Sequence, residues 1–411
     1  LAVAVNLKGR LARIRELGLV KAAGLERSAE RDATIGRGAT IRRDRPSFLG
    51  GWVSIGELAW TRTLHFADSL LESVDPSVFA PLRRNRGGAP PGATDTRGGV
   101  PAERIPAERL RFFDLETTGL SGGTGTIAFL AAVGRVEKGE FALTQVFLED
   151  FPGEPAFLAF LLSLLADDAV IVSYNGRAFD MPLLRTRCVM NGIVPPEPDL
   201  HVDALFASRR LWRRVHGGAS LGLLEREVLG LEREEDLPGA MIPEVWLSFV
   251  RKGDHPLMRL VLSHNANDVV GLARLVARAQ ALFDDPYPRA GSLDVDRFGL
   301  GRTLLAAGRP AAGEELLESA AGAGDEGAGL LLSMRYRKAA RVADGLRVAA
   351  MLPETYRCAV ERAKLYERSI GDLAEAARWA KEALRLASTD GDRAETLSRL
   401  ARIGRKMARK K

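Results

Sequence analysis

Two carboxylates separated by one residue, Asp114-Leu-Glu116, are the first side chains in the chain able to do chemistry as a pair. The apolar approach Phe112-Phe113 places them at the end of a strand. Successive strand side chains alternate, so Asp114 and Glu116 share one face, about 6–7 Å apart. Like charges on a buried face are costly: either one carboxyl keeps its proton or a cation lies between them. On an exposed strand the same tripeptide is only a solvated pair, so the neighbours decide. Asp180 follows Asn175-Gly-Arg-Ala-Phe179 at the start of a helix. Farther on, His264-Asn-Ala-Asn-Asp268 sets an imidazole and a carboxylate at i, i+4, one above the other on one helical face. Hard oxygen ligands suit Mg²⁺ or Mn²⁺, and an imidazole accepts a proton near neutral pH.

These residues need elements to bring them together. A strand is expected over 110–115, followed by the glycine-rich SGGTG at 121–125. Two further strands, 126–136 and 141–148, are joined by the hairpin signal Glu137-Lys-Gly-Glu140. The leucine-rich run 155–165 has helix length, and AVIVSY at 169–174 reads as a buried strand. Helices are expected over 181–190, ended by Asn191-Gly192, and over 257–283. Strands followed by alternating helices and a strand imply an α/β domain with a mixed sheet over residues 104–286.

The flanks differ in kind. Residues 1–50 hold eleven Lys/Arg against five Asp/Glu. A weak helical pattern runs through 1–31, apolar residues gather at Trp52, Val53, Ile55, Leu58 and Trp60, and a helix is expected over 64–74. The stretch 83–100 is Gly/Pro-rich with almost no large apolar residue, so it reads as a linker. Residues 1–103 therefore read as a basic, partly disordered arm. Over 287–411 Ala, Leu, Glu and Arg dominate with helical spacing. Gly308, Leu317 and Ala320 form one stretch, and Gly371, Ala376, Ala380 and Ala383 a second that matches the latter half of a tetratricopeptide repeat. An all-α, tetratricopeptide-like helical domain able to hold a protein partner is expected there. The last ten residues carry six basic side chains, which reads as a solvated, frayed end.

Asp-x-Glu, Asn-x3-Phe-Asp and His-x3-Asp, in that order on strand, helix start and helix, resemble the three exonuclease motifs of the DEDD superfamily, which has a ribonuclease H-like fold. FFDLETTGLSGGTGTIAFLAAVG, VSYNGRAFDMPLLRTRCVMNG, DALFASRRLW, LGLLEREVLG, LPGAMIPEVW and SHNANDVVGLARL are together similar to the bacterial YprB-type ribonuclease H-like family over about 110–283. That resemblance implies a 3′→5′ exonuclease acting on DNA or RNA, with a tetratricopeptide-like region after the nuclease domain. It implies that Asp114, Glu116, Asp180 and Asp268 bind two divalent cations, Mg²⁺ or Mn²⁺, and that His264 occupies the general-base position. Close carboxylates repel by several kcal/mol at an effective dielectric of about 20, which paired dications about 4 Å apart cancel. In histidine-type members the histidine stands five residues before the last aspartate, whereas His264 stands four before it, the tyrosine's register. Two roles stay open for His264: general base, or orienting Asp268.

Other residues carry two readings each. Thr117 is grouped with the nucleic-acid-binding set. Asn175 binds substrate or the carboxylates, or else closes a turn. SGGTG offers N–H groups to a phosphate or is a plain loop. Asp203 lies at the edge of the site or caps a helix. Arg209, Arg210, Trp212, Arg213 and Arg214 interleave cations with an aromatic, suiting nucleic-acid backbone contact with base stacking; the alternative is a solvated helix face with a buried Trp.

The 411 residues exceed one ordinary domain, and 46% hydrophobic with 27% charged residues supports sizeable cores and rules out fibrous or wholly disordered classes. A net charge of +6 permits an anionic partner without requiring one. Cys188 and Cys358 form no CxxC pair, so a disulfide framework and a cysteine zinc site are excluded. The most apolar run, 156–166, is too short to span a membrane, and 1–6 lacks a signal-peptide core, so a cytoplasmic chain with no membrane partner is expected. A function from another class is a nucleic-acid-binding or scaffold protein with a residual nuclease core. The intact acidic set argues against it.

Overall fold

The computed structural model describes residues 46–67, 71–81, 103–119, 125–165, 169–198, 200–233, 235–253, 255–287 and 294–410. The readings for 1–31 and 83–100, and for most of SGGTG, lie outside the described residues.

A seven-stranded mixed sheet carries the site. Its strands are β1 (Val53–Gly56), β2 (Ala59–Phe66), β5 (Leu110–Thr117), β6 (Ala128–Glu137), β7 (Glu140–Leu148), β8 (Val170–Ser173) and β9 (His201–Asp203); β3 (Ser73–Val74) and β4 (Ile105–Pro106) pair separately. The order is β1-β2-β7-β6-β5-β8-β9. Neighbours from β1 to β5 run antiparallel, whereas β5, β8 and β9 run parallel. The central β6 is apolar on both faces, as a strand covered by helices on each side must be.

The helices of this part are α1 (Glu154–Leu164), α2 (Asp180–Met190), α3 (Ala204–Leu211), α4 (Arg213–His216), α5 (Leu221–Leu229), α6 (Ile242–Lys252) and α7 (Met258–Asp284). On one sheet face Phe113, Phe129 and Phe147 pack with Phe157 and Leu161 of α1 and Trp246 of α6. The opposite face packs Phe112, Phe141 and Leu143 with Val269, Leu272 and Val276 of α7. Asp114 and Glu116 follow Phe112 at strand spacing, so they lie on the α7 side. A long apolar stripe at 3–4 spacing buries α7, and the helix stops where Asp285, held extended, precedes Pro286.

The helix expected over 64–74 does not form. Ala59–Phe66 is a strand in full antiparallel register with β7, and Ser73-Val74 is a short strand. Alternation in Ala-Trp-Thr-Arg-Thr-Leu-His-Phe is satisfied only by pairing with β7, a partner far along the chain. Phe48, Leu49 and Trp52 are buried in the same core, each contributing about 1.5–3 kcal/mol as a large apolar side chain. The sheet thus begins upstream of residue 104, in the segment read as an arm.

Seven α-helices follow among the described residues: α8 (Arg297–Ala306), α9 (Pro310–Gly322), α10 (Glu326–Lys338), α11 (Val342–Met351), α12 (Tyr356–Leu365, continued by a π-turn over Tyr366–Ile370), α13 (Leu373–Leu386) and α14 (Asp390–Lys410). Gly308 and Gly371, equivalent in the sequence comparison, are both left-handed and both precede a helix. The expected frayed end is a helix. Arg402 and Lys406 reach the buried Glu367 carboxylate at 2.8 Å, so a carboxylate cut off from water ties down the last turns through two partly exposed cations. Residues Pro46–Lys411 cluster as one unit. Among the described residues no helix is long and apolar enough to cross a membrane. Both cysteines are buried thiols.

Candidate functional site

Asp114 stands on β5 opposite Ala132 of β6, and Ala132 stands opposite Gln145 of β7. Gln145 in turn faces Arg62 of β2, so the four side chains form one cross-strand row. The small Ala132 leaves room for Asn265 of α7 above it. Asn265 Nδ2 donates to Asp114 Oδ2 at 2.9 Å, while its Oδ1 accepts from Gln145 Nε2 at 3.1 Å. Gln145 Nε2 also donates to Leu262 O at 2.8 Å, and its Oε1 accepts from Arg62 Nε and Nη2 at 2.8 and 2.6 Å. Asn265 and Gln145 are fully buried, so this polar row is paired end to end.

Asp180 begins α2 and is held there by the turn before it. Asn175 adopts a left-handed φ of 67°. The buried Asp203 carboxylate accepts N–H bonds from Asn175 (2.8 Å), Arg177 (3.3 Å) and Leu205 (3.1 Å), so it clamps the turn and caps α3 together. A Cβ at Gly176 would lie 2.8 Å from Asp180 Oδ2 and 2.5 Å from Ser173 Oγ, so only glycine allows this close approach. Asn175 is thus part of a turn that presents Asp180. Thr117 donates its hydroxyl to Gly119 O at 2.9 Å, beside a register slip after Glu116.

Asp268 and His264 project from α7 toward the same place. His264 Nε2 lies 3.6 Å from Asp268 Oδ2 and 3.8 Å from Glu116 Oε1. Its Nδ1 is 2.6 Å from Asp236 Oδ1. Asp236 belongs to the segment between α5 and α6, as does Arg233, whose Nη2 donates to Asp268 Oδ1 at 2.5 Å.

The four acids of the motifs feel one another. Burial, followed by the charges of Asp268, Glu116 and Asp180, lifts the Asp114 carboxyl well above its usual range, and the Asn265 hydrogen bond opposes this. Burial, opposed by the His264 cation and reinforced by Asp268, Asp180 and Asp236, pushes Glu116 up to about 8. Burial and the nearby Asp203 charge raise Asp180 to about 7. Burial works against protonation of His264, yet the Asp236 hydrogen bond and the charges of Asp268 and Glu116 raise it to about 9. Such a cluster holds protons in place of cations. Among the described residues no three His, Cys, Asp or Glu side chains already form a metal cage. The donor set, buried carboxylate oxygens that repel one another, nonetheless fits a hard divalent cation.

The basic cluster divides. Trp212 is only 1% exposed and has no face left for a base, which corrects its placement in the nucleic-acid-binding set. Arg210 donates to Val78 O, to Ala80 O at 2.8 Å and to Thr303 Oγ1 at 3.2 Å. Arg214 pairs with Asp325 at 2.6 Å and Asp296 at 3.5 Å. Arg210 thereby ties the sheet to Thr303 of α8 and to the segment around Val78, and Arg214 ties it to Asp296 and Asp325, the residues that cap α8 and α10. Arg209 and Arg213 are exposed. Sequence reasoning missed Arg62, Gln145, Asn265, Glu225, Arg233 and Asp236. Only Asn265 offered a signal, as a second polar residue beside His264 on a buried helix.

A family model of the RNase H superfamily matches residues 111–280. The chain is also 30% identical over 313 residues to the uncharacterized protein YprB of Bacillus subtilis (strain 168), covering 72% of this chain and 75% of that one. At the superfamily level this is the fold of nucleic-acid-hydrolysing enzymes, which generally use divalent metal ions. A mixed sheet that brings the acids of three separated motifs together, with these matches over the same residues, places the chain in the YprB family of the RNase H superfamily.

Proposed function

We propose that the protein is a metal-dependent nuclease of the DEDD type, a 3′→5′ exonuclease that hydrolyses phosphodiester bonds of DNA or RNA. The observation that carries this reading is the mutual charge effect of Asp114, Glu116, Asp180 and Asp268, with His264 Nε2 within 3.6–3.8 Å of two of them. Asp114, Glu116, Asp180 and Asp268 would hold two divalent cations, Mg²⁺ or Mn²⁺, which supply the activated water and charge stabilisation at the leaving oxygen. Asp236 accepts the Nδ1–H of His264, which leaves Nε2 as the atom that takes a proton from the attacking water. Cancelling the charges of Glu116 and Asp268 removes two causes of the raised His264 pKa and brings that ring toward its neutral form. Exposed Arg209 and Arg213 supply positive charge for a nucleic-acid backbone. The helical region offers a surface for a protein partner.

The test is Mn²⁺-dependent degradation of DNA and RNA single strands labelled at either end, compared with Asp114→Ala. Loss of shortening products in a variant that still folds supports the reading. Equal absence of activity in both proteins, across the substrate panel, favours a scaffold with a residual core.

A further inference from the structure

One arginine links both halves of the site. Arg233 lies between α5 and α6 with its side chain only 14% exposed, and its guanidinium meets three carboxylates. Nη2 is 2.6 Å from Glu225 Oε2 and 2.5 Å from Asp268 Oδ1, and Nη1 is 3.0 Å from Asp236 Oδ2. Asp268 is on the α7 face that meets Glu116, and Asp236 is the partner of His264 Nδ1. Glu225, 3% exposed, shares Nη2 with Asp268 and anchors that arm of the fork, while Asp236 takes Nη1. Its place is reserved by Gly271, one turn beyond Asp268: a Cβ there would fall 1.8 Å from Glu225 Oε1. A buried, planar five-donor cation is the one side chain able to satisfy carboxylates from α5, α7 and the connecting segment together.

We propose that Arg233 is a positioning residue of the metal centre. By holding Asp268 Oδ1 it turns Oδ2, the oxygen 3.6 Å from His264 Nε2, toward Glu116 and the centre. By holding Asp236 it fixes the ring of His264, so one residue sets both a metal ligand and the proton-accepting nitrogen. The inference rests on the metal-dependent reading above. Partners that orient ligands in this way are worth about 10- to 100-fold in metal affinity or activity. The negative charge that Arg233 offsets would otherwise favour cation uptake, so the sign of the outcome discriminates. If Arg233 orients, its removal weakens Mn²⁺ binding; if it is only a counter-charge, removal tightens it.

The experiment measures Mn²⁺ binding by calorimetry and single-strand degradation for wild-type protein, Arg233→Gln and Arg233→Lys, with thermal melts as the folding control. Expected for folded Arg233→Gln are about 10- to 100-fold weaker Mn²⁺ binding and a lower kcat at saturating Mn²⁺, with KM for the oligonucleotide little changed. Arg233→Lys recovers part of the loss, because an ammonium keeps the charge but cannot bridge three carboxylates. Wild-type affinity and turnover in folded Arg233→Gln, or tighter Mn²⁺ binding, overturns the inference. Should Arg233→Gln not fold, the Lys variant decides: unchanged binding and turnover there overturn it equally. Wild-type protein that takes up no Mn²⁺ overturns the nuclease reading itself, a result distinct from either.

Discussion

Asn265 offers the sharpest test of how the sheet prepares the site. Replacing it with Ala removes the hydrogen bond to Asp114 Oδ2 at 2.9 Å and the acceptor used by Gln145 at 3.1 Å. Gln145 keeps Leu262 O and Arg62, so it is not orphaned. The fold loses one neutral hydrogen bond, about 1 kcal/mol, whereas Asp114 loses a bond to a charged group, about 1.5–3 kcal/mol. If that bond orients Asp114 during turnover, kcat falls about 10- to 150-fold. This hydrogen bond also draws the Asp114 pKa down, so the low-pH limb of activity should move to higher pH. The assay is initial rate on an end-labelled single strand against pH at saturating Mn²⁺, with a thermal melt. Activity within about twofold of wild type, with an unmoved limb, would refute the claim that the row from Arg62 to Asp114 supports catalysis.

Metal-free stability should depend on pH with a definite sign. Glu116 and Asp180 have folded pKa values raised to about 8 and about 7, so the folded state binds protons more tightly than the unfolded chain. Their favourable contribution is complete below the unfolded carboxylate range and is lost as pH rises through those values. The melting temperature without metal should therefore drop between about pH 5 and 8, and added Mn²⁺ should raise it more at pH 8 than at pH 6. A metal-induced shift that is larger at pH 6 contradicts this, as scanning calorimetry would show. Neutralising Arg209 and Arg213 should lower the salt slope of single-strand binding, by about 0.7 for each phosphate that the protein ceases to neutralise. Arg214→Ala should instead lower the melting temperature by breaking its pairs with Asp325 and Asp296 while leaving that slope alone, as fluorescence titration would check.

Chemistry was legible where it is local. Asp114-x-Glu116 needs only strand alternation to share a face, and His264 with Asp268 needs only the helical period, so both pairs could be placed from spacing. Asp180 was readable because its turn residues precede it directly. Order and type of the elements from Leu110 to Met190, and of the long helix α7, followed from hydrophobic period and turn residues for the same reason, whereas β9 and the helices α3 to α6 had no reading.

What lay beyond reach depends on partners far apart in the chain. Arg62 and Gln145 are 83 residues apart and Asn265 and Asp114 are 151 apart, yet each pair is at hydrogen-bond distance. No local period encodes such a meeting. Ala59–Phe66 becomes a strand only because β7 presents a free edge, and Trp212 is buried in a core that it shares with Val78 and with Leu300 and Leu304 of α8. Sequence alone determined which acids exist, in what order and on which kind of element. Tertiary closure decided which polar neighbours orient them, because desolvating a carboxylate forces it to find a donor wherever the fold supplies one.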